Sequence, residues 1–179
     1  MLNIQKSEEV VGNVMKTIRI HKVVVNIGVG RSGEFIEKAK AVVQQIVGKQ
    51  AGSRLAKKTV RDFGIRQGEP IGVMATLRGP DASMKLKTLL QTKDNRLPRS
   101  SFDDNGSCSF GIREHIEIPG TRYDPDLGIF GLNVSAVLDR PGYRVARRRR
   151  AKSSVGKKHR VTGDEAIDFF KENFGIEVE

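Results

Sequence analysis

The spacing of apolar residues along this chain switches repeatedly between a period of about two and a period of about 3.6. That switching admits only folds that mix strands with helices. Ile18 to Val29 is rich in β-branched residues and predicts a strand, and Gly28 to Gly33 predicts a turn. Glu34 to Val47 then carries Phe35, Ala39, Val42, Val43 and Ile46 on one helical face. Ser32 or Gly33 can cap this helix, and Glu34 and Glu37 meet the positive end of its dipole. Lys57 to Phe63 and Gly72 to Leu77 read as two strands joined by the hairpin loop Arg66 to Pro70. Gly79-Pro80-Asp81 opens a second helix, buried through Ala82, Leu86, Leu89 and Leu90. Strict alternation returns in two places. Cys108, Phe110, Ile112, Ile116 and Ile118 form one half-buried strand, and Phe130, Leu132, Val134, Ala136 and Leu138 form another. Thr162 and Glu165 have capping-box spacing at the head of a last helix that buries Ile167, Phe170 and Phe174 and stops at Gly175. Met1 to Met15 is a weak further helix. The order predicts an α+β fold: an antiparallel or mixed sheet of about five strands, helices on one face, and a basic C-terminal extension. One RNA-binding domain is expected over residues 1–179, with a core at 18–139, a basic arm at 140–161 and a C-terminal helix at 162–175.

Charge decides what such a fold is for. The 179 residues carry 32 Lys plus Arg against 21 Asp plus Glu, a net +11. Ten of those basic residues and none of the acids lie between Arg140 and Arg160, so the rest of the chain is nearly neutral. A smaller acid-free block runs from Lys49 to Arg61 and holds Arg54, Lys57 and Lys58. Blocks of like charge repel themselves unless a polyanion neutralises them. The consecutive Arg147, Arg148, Arg149 and Arg150 suit phosphate, which a guanidinium grips as a planar fork. The only cysteine, Cys108, excludes an internal disulfide, and no apolar run is long enough to cross a bilayer. The N-terminal residues lack a signal-peptide core, so a cytosolic protein is expected.

Catalytic constellations are missing. His21, His115 and His159 have no metal-ligand spacing, and Asp103-Asp104 and Asp124-x-Asp126 sit beside turn formers. No cofactor is expected. Gly28-Val29-Gly30-Arg31-Ser32-Gly33 does match the dinucleotide fingerprint G-x-G-x-x-G after a strand. The ribose-binding acid should follow about twenty residues later. That region reads Ala51 to Lys58 and is basic, which argues against a nucleotide-dependent reductase. The glycines can instead let backbone approach an RNA phosphate, or serve only as a tight turn. Gly30 to Gly33 also has the form of a KH-domain GXXG clamp, but it follows a strand and not a helix. With no Trp and two Tyr, recognition of structured RNA through phosphate, sugar and shape fits better than base stacking.

Longer motifs now bear on the chain together. Lys22-Val-Val-Val-Asn-Ile-Gly-Val-Gly30, Ala56-Lys-Lys-Thr59, Phe63-Gly-Ile-Arg-Gln-Gly-Glu-Pro-Ile-Gly72, Thr76-Leu-Arg-Gly79, Leu97-Pro-Arg99 and Phe110-Gly-Ile-Arg-Glu-His-Ile116 stand in order. From Ile18 to Leu138 the chain resembles the large-subunit ribosomal protein five family, and its basic tail is similar to the archaeal and eukaryotic branch. The resemblance implies binding to 5S rRNA, attachment of that RNA to the large-subunit rRNA in the central protuberance, a bridge to a small-subunit head protein, and contact with P-site tRNA. It implies no membrane and no homo-oligomer. Carried over by position, Asn26, Gly28, Lys49, Gln50, Lys57, Lys58, Thr76 and Arg78 would face rRNA; Gly30 of the glycine turn, Arg54 of the smaller basic block and Arg147 to Arg150 of the arginine run are expected to face it as well. Arg66, Gln67 and Gly68 would form the tRNA-facing tip. At Gly48-Lys49-Gln50 the chain departs from the Gly-Gln-Lys order of bacterial members, so either Lys49 or Gln50 could make the base-edge contact. An RNA-binding regulator acting off the ribosome is the alternative.

Overall fold

The computed structural model describes residues 13–121 and 123–179. The helix expected over Met1 to Met15 lies almost wholly outside them, and its described end is a single 3-10 turn at Val14–Lys16. Beyond it come β1 (Arg19–Gly28), α1 (Glu34–Val47), β2 (Gly52–Leu55), β3 (Pro70–Leu77) and α2 (Pro80–Gln91). Then follow β4 (Arg96–Leu97), β5 (Ser107–Ile112), β6 (Leu132–Asp139), one turn of α3 (Arg144–Arg147), α4 (Gly163–Phe174) and β7 (Glu177–Val178). Five strands form one antiparallel sheet in the order β2-β3-β1-β6-β5, as an α+β reading requires. β4 and β7 pair separately in parallel and tie down the C-terminus.

Alternation puts Val23, Val25 and Ile27 of β1 on the same face as Val73, Ala75 and Leu77, Val134 and Ala136, and Cys108, Phe110 and Ile112. α1, α2 and α4 close over this face with Ile36, Val42, Val43, Leu86, Leu90 and Phe170 in one continuous core. Each fully buried aliphatic or aromatic side chain of this kind contributes about 1.5–3 kcal/mol. Among the described residues, no helix packs on the opposite sheet face, whose side chains are mostly exposed or half-buried. α4 starts with the expected capping box, Thr162 and Glu165 each satisfying the other's backbone N–H.

Several expected details differ. Ile36, not Phe35, enters the core from the first turn of α1, because Ile36 shares the inward face of Ala39, Val43 and Ile46. Lys57 to Phe63 is not a strand: β2 is Gly52–Leu55, and the chain leaves the sheet at Ala56. The strand expected through Ile118 stops at Ile112, and His115–Glu117 forms a 3-10 turn that buries His115. There Phe130 N–H donates to His115 Nδ1 at 3.3 Å.

Candidate nucleic-acid interface

The open sheet face is built by register. Gly52, Met74, Asn26, Asn133 and Gly111 share one cross-strand row. Thr76, Val24, Ser135 and Ser109 share the next, and Ser109 Oγ donates to Ser135 Oγ at 3.0 Å. Arg54, Gly72 and Gly28 make a third row toward the β2 edge. Arg78 follows β3 at the far end, beside Lys22. The face is thus polar and low, with glycines where a side chain would block approach. A Cβ at Gly28 would meet nothing within 4 Å, so the protein's own packing does not demand a glycine there. Asn26, Gly28, Arg54, Thr76 and Arg78 are brought together on this surface. Lys22, Ser109, Asn133 and Ser135 join them. Their polar alternation was visible, but only strand order shows that they share a face with Asn26.

Part of the glycine turn is committed to the fold. Val29 N–H and Gly30 N–H both donate to Ile71 O, at 3.0 and 2.9 Å, so neither is left to hold a phosphate. Gly30 has φ +69°, a conformation that suits glycine. Both neighbours of β1 run antiparallel to it, whereas a dinucleotide fold needs a parallel strand–helix–strand unit. Lys49 and Gln50 are exposed just beyond α1, where Lys49 Nζ pairs with Asp81 Oδ2 at 2.7 Å.

Between β2 and β3 the chain makes a long excursion. Gly68 N–H donates to Ala56 O and Ala56 N–H to Glu69 O, which closes its base. Val60 and Ile65 pair higher up, and the turn between them is Arg61–Phe63 with Gly64 at φ +64°. Arg66, Gln67 and Gly68 therefore lie on the returning limb and not at the tip. There Gln67 N–H donates to Thr59 Oγ1 and Arg66 N–H to Glu69 Oε2. Lys57 and Lys58 are exposed on the outgoing limb. The tip presents Phe63, 76% exposed, at the end of a segment whose composition predicts a strand.

The basic segment is a loop with a fastened neck. Tyr143 Oη accepts from Val161 N–H at 2.9 Å, and His159 Nε2 lies 2.8 Å from Pro141 O. Val161 is buried against Gly106, where an added Cβ would come within 2.6 Å of its side chain. Arg148, Arg149 and Arg150 are exposed at the distal part. Arg140 is not a free charge: it is buried, and its Nη2 donates to Glu165 Oε1 at 2.6 Å. Burial alone would raise the Glu165 pKa, but the Thr162 backbone N–H and Arg140 outweigh it and hold the carboxyl below its ordinary value. Cys108 is a core residue whose thiol burial pushes up to about 12. Among the described residues no cluster of His, Cys, Asp and Glu could hold a metal, and no helix is long and apolar enough to cross a membrane.

Residues 13–66 match the family described as Ribosomal protein L5, and residues 70–169 match the C-terminal region of the same ribosomal family. The chain is 51% identical over 166 residues to the large ribosomal subunit protein uL5 of Sulfolobus acidocaldarius, covering 93% of each chain. It is 51% identical to uL5 of Nitrosopumilus maritimus, over 92% of this chain and 95% of the relative. It is 44% identical to uL5 of Methanococcoides burtonii, over 93% and 99%.

Proposed function

Because this chain belongs to the ribosomal protein L5 family of the large ribosomal subunit, we propose that it binds 5S rRNA on the open face of its sheet and fastens that RNA to the large-subunit rRNA. The family's role is structural and not enzymatic, and its place is the cytoplasmic ribosome. One observation carries the specific reading: three helices cover one side of a five-stranded sheet, while the other side offers Asn26, Thr76, Asn133, Ser135, Arg54 and Arg78 around low glycine positions. Amides and hydroxyls at this density suit sugar hydroxyls and phosphates of a folded RNA, and the flanking cations supply the sequence-independent attraction. The basic loop, with Arg147 to Arg150, takes the large-subunit rRNA. The excursion between β2 and β3 reaches P-site tRNA through Arg66, Gln67 and Gly68, and the protein contacts a small-subunit head protein in the central protuberance. The test is a gel shift on 5S rRNA transcript with tRNA and an mRNA leader as competitors. Tight binding that resists both competitors, and that Asn26→Ala or Thr76→Ala weakens, is the expected result. Equal displacement by tRNA or leader would refute the 5S assignment.

A further inference from the structure

Asp139, the last residue of β6, is a fully buried carboxylate at the end of the open face. Arg19 Nε donates to its Oδ1 at 2.8 Å, and Arg147 Nη1 donates to its Oδ2 at 3.0 Å. His21 Nδ1 lies 3.3 Å from the same Oδ2. On the other side of the imidazole ring, Nε2 lies 3.0 Å from Arg78 Nη1. His21 is the extra residue where the β1–β6 register shifts between Ile20 and Lys22, which separates it from the regular alternation. One neutral tautomer fits both sides of the ring: Nδ1–H donates to Asp139, and Nε2 accepts from Arg78. Arg147 Nη1 is then 3.2 Å from Nδ1, as two donors converging on one carboxylate oxygen are. The other tautomer would turn an N–H of the ring against the Arg78 guanidinium. Burial and the charge of Arg147 lower the His21 pKa against the pull of Asp139, and Arg78 and Lys22 lower it further, so the neutral ring is favoured.

We propose that Arg78 and Arg147 form one phosphate clamp for an RNA backbone, with His21 and Asp139 as positioning residues that aim the two guanidiniums. The inference rests on the RNA-interface reading above. Arg19 and Arg147 bind the one carboxylate, and Arg78 and Lys22 act on His21 beside it, so the cluster carries excess positive charge. Among the described residues, only Nη1 of Arg78 and of Arg147 meets a protein partner, which leaves Nε and Nη2 of both for a ligand. Those two nitrogens form the edge that pairs with two phosphate oxygens. Arg147 is further restrained by stacking 5.7 Å from the Tyr143 ring centroid. Arg78 belongs to the sheet and Arg147 to the basic loop, so the clamp joins the two RNA-facing surfaces into one track.

The test measures binding of the full chain to 5S rRNA transcript across a salt series, with a melting curve for each variant. Arg78→Ala and Arg147→Ala should each flatten the plot of log affinity against log salt by about 0.9, one phosphate contact on the DNA scale. His21→Leu should weaken binding about three- to tenfold, and His21→Gln should stay within about twofold of wild type. Gln can donate to Asp139 and accept from Arg78 as His does. Adding His21→Leu to the double variant Arg78→Ala with Arg147→Ala should cost nothing more. Losses that multiply in that triple variant, or wild-type binding by His21→Leu, would overturn the positioning role. If His21→Leu does not fold, Arg78→Lys decides. A clamp loses affinity several-fold on losing the fork, and wild-type affinity in that variant would overturn it. Tight binding of an unrelated structured RNA, with the Arg78 and Arg147 effects intact, would refute the 5S assignment and support the clamp. Specific 5S binding with both slopes unchanged would do the reverse.

Discussion

Replacing Glu165 with Ala should harm the protein more than replacing its partner Arg140 with Met, although both changes break the same ion pair. The Arg140 side chain is 8% exposed and that of Glu165 is 41% exposed. After Glu165→Ala, the Arg140 guanidinium stays buried with one long bond, Nη1 to Arg160 O at 3.4 Å, and its Nε lacks a partner among the described residues. The same change removes the acceptor of the Thr162 N–H at 3.0 Å and so half of the α4 capping box. Stranding a buried charge costs about 3–5 kcal/mol, and the exposure of Glu165 reduces this to about 2–4 kcal/mol. After Arg140→Met, Glu165 keeps the Thr162 bond and faces water, while Met fills the vacated volume, so about 1 kcal/mol or less is lost. At about 3 °C per kcal/mol for a chain of this size, Glu165→Ala should lower Tm by about 6–12 °C and Arg140→Met by less than about 4 °C. The double variant should be more stable than Glu165→Ala alone. Differential scanning calorimetry measures all three, and a salt series on RNA affinity supplies the second readout. Arg140→Met should leave the salt slope unchanged, whereas Arg149→Ala with Arg150→Ala should flatten it by about 2. A larger loss of Tm for Arg140→Met than for Glu165→Ala would refute the reasoning, as would a flattened slope for Arg140→Met.

Gly28→Ala should leave Tm unchanged or slightly raised, because no atom lies within 4 Å of the new Cβ, yet it should weaken RNA binding at least several-fold; unaltered affinity in a filter-binding assay would mean that no backbone approaches there. The Glu165 carboxyl has a folded pKa below its unfolded value, so its stabilisation is complete above the ordinary carboxylate pKa and is lost as pH falls through the lowered one. Glu165→Gln should therefore reduce the fall in Tm over that acid window, and a parallel Tm–pH curve would contradict it. In reconstituted large subunits, Arg66→Ala with Gln67→Ala should keep 5S content near normal and reduce P-site tRNA retention; a fall in 5S content with retention per subunit unchanged would assign the excursion to assembly.

Local rules were enough for much of this molecule. The bounds of α1, the proline start of α2, the capping box of α4 and the alternation of β5 and β6 follow from contacts between residues a few positions apart, which a sequence displays directly. The acid-free segments also name a polyanionic partner without any structure. Tertiary structure decided which of those charges are available. Arg140 reads like its neighbours, yet it is buried against Glu165, because burial depends on what packs over a residue and not on its flanking sequence. It likewise decided that Asn26, Thr76 and Asn133 share one face, since cross-strand neighbours are set by the order β2-β3-β1-β6-β5. Lys57 to Phe63 has strand composition but does not pair as the hairpin partner of β3, because β3 is already held by β1 on one side and by Gly52–Leu55 on the other. Asp139, His21, Arg78 and Arg147 span more than a hundred positions of sequence, and only the closing of β1 against β6 and β3 brings them within hydrogen-bonding distance.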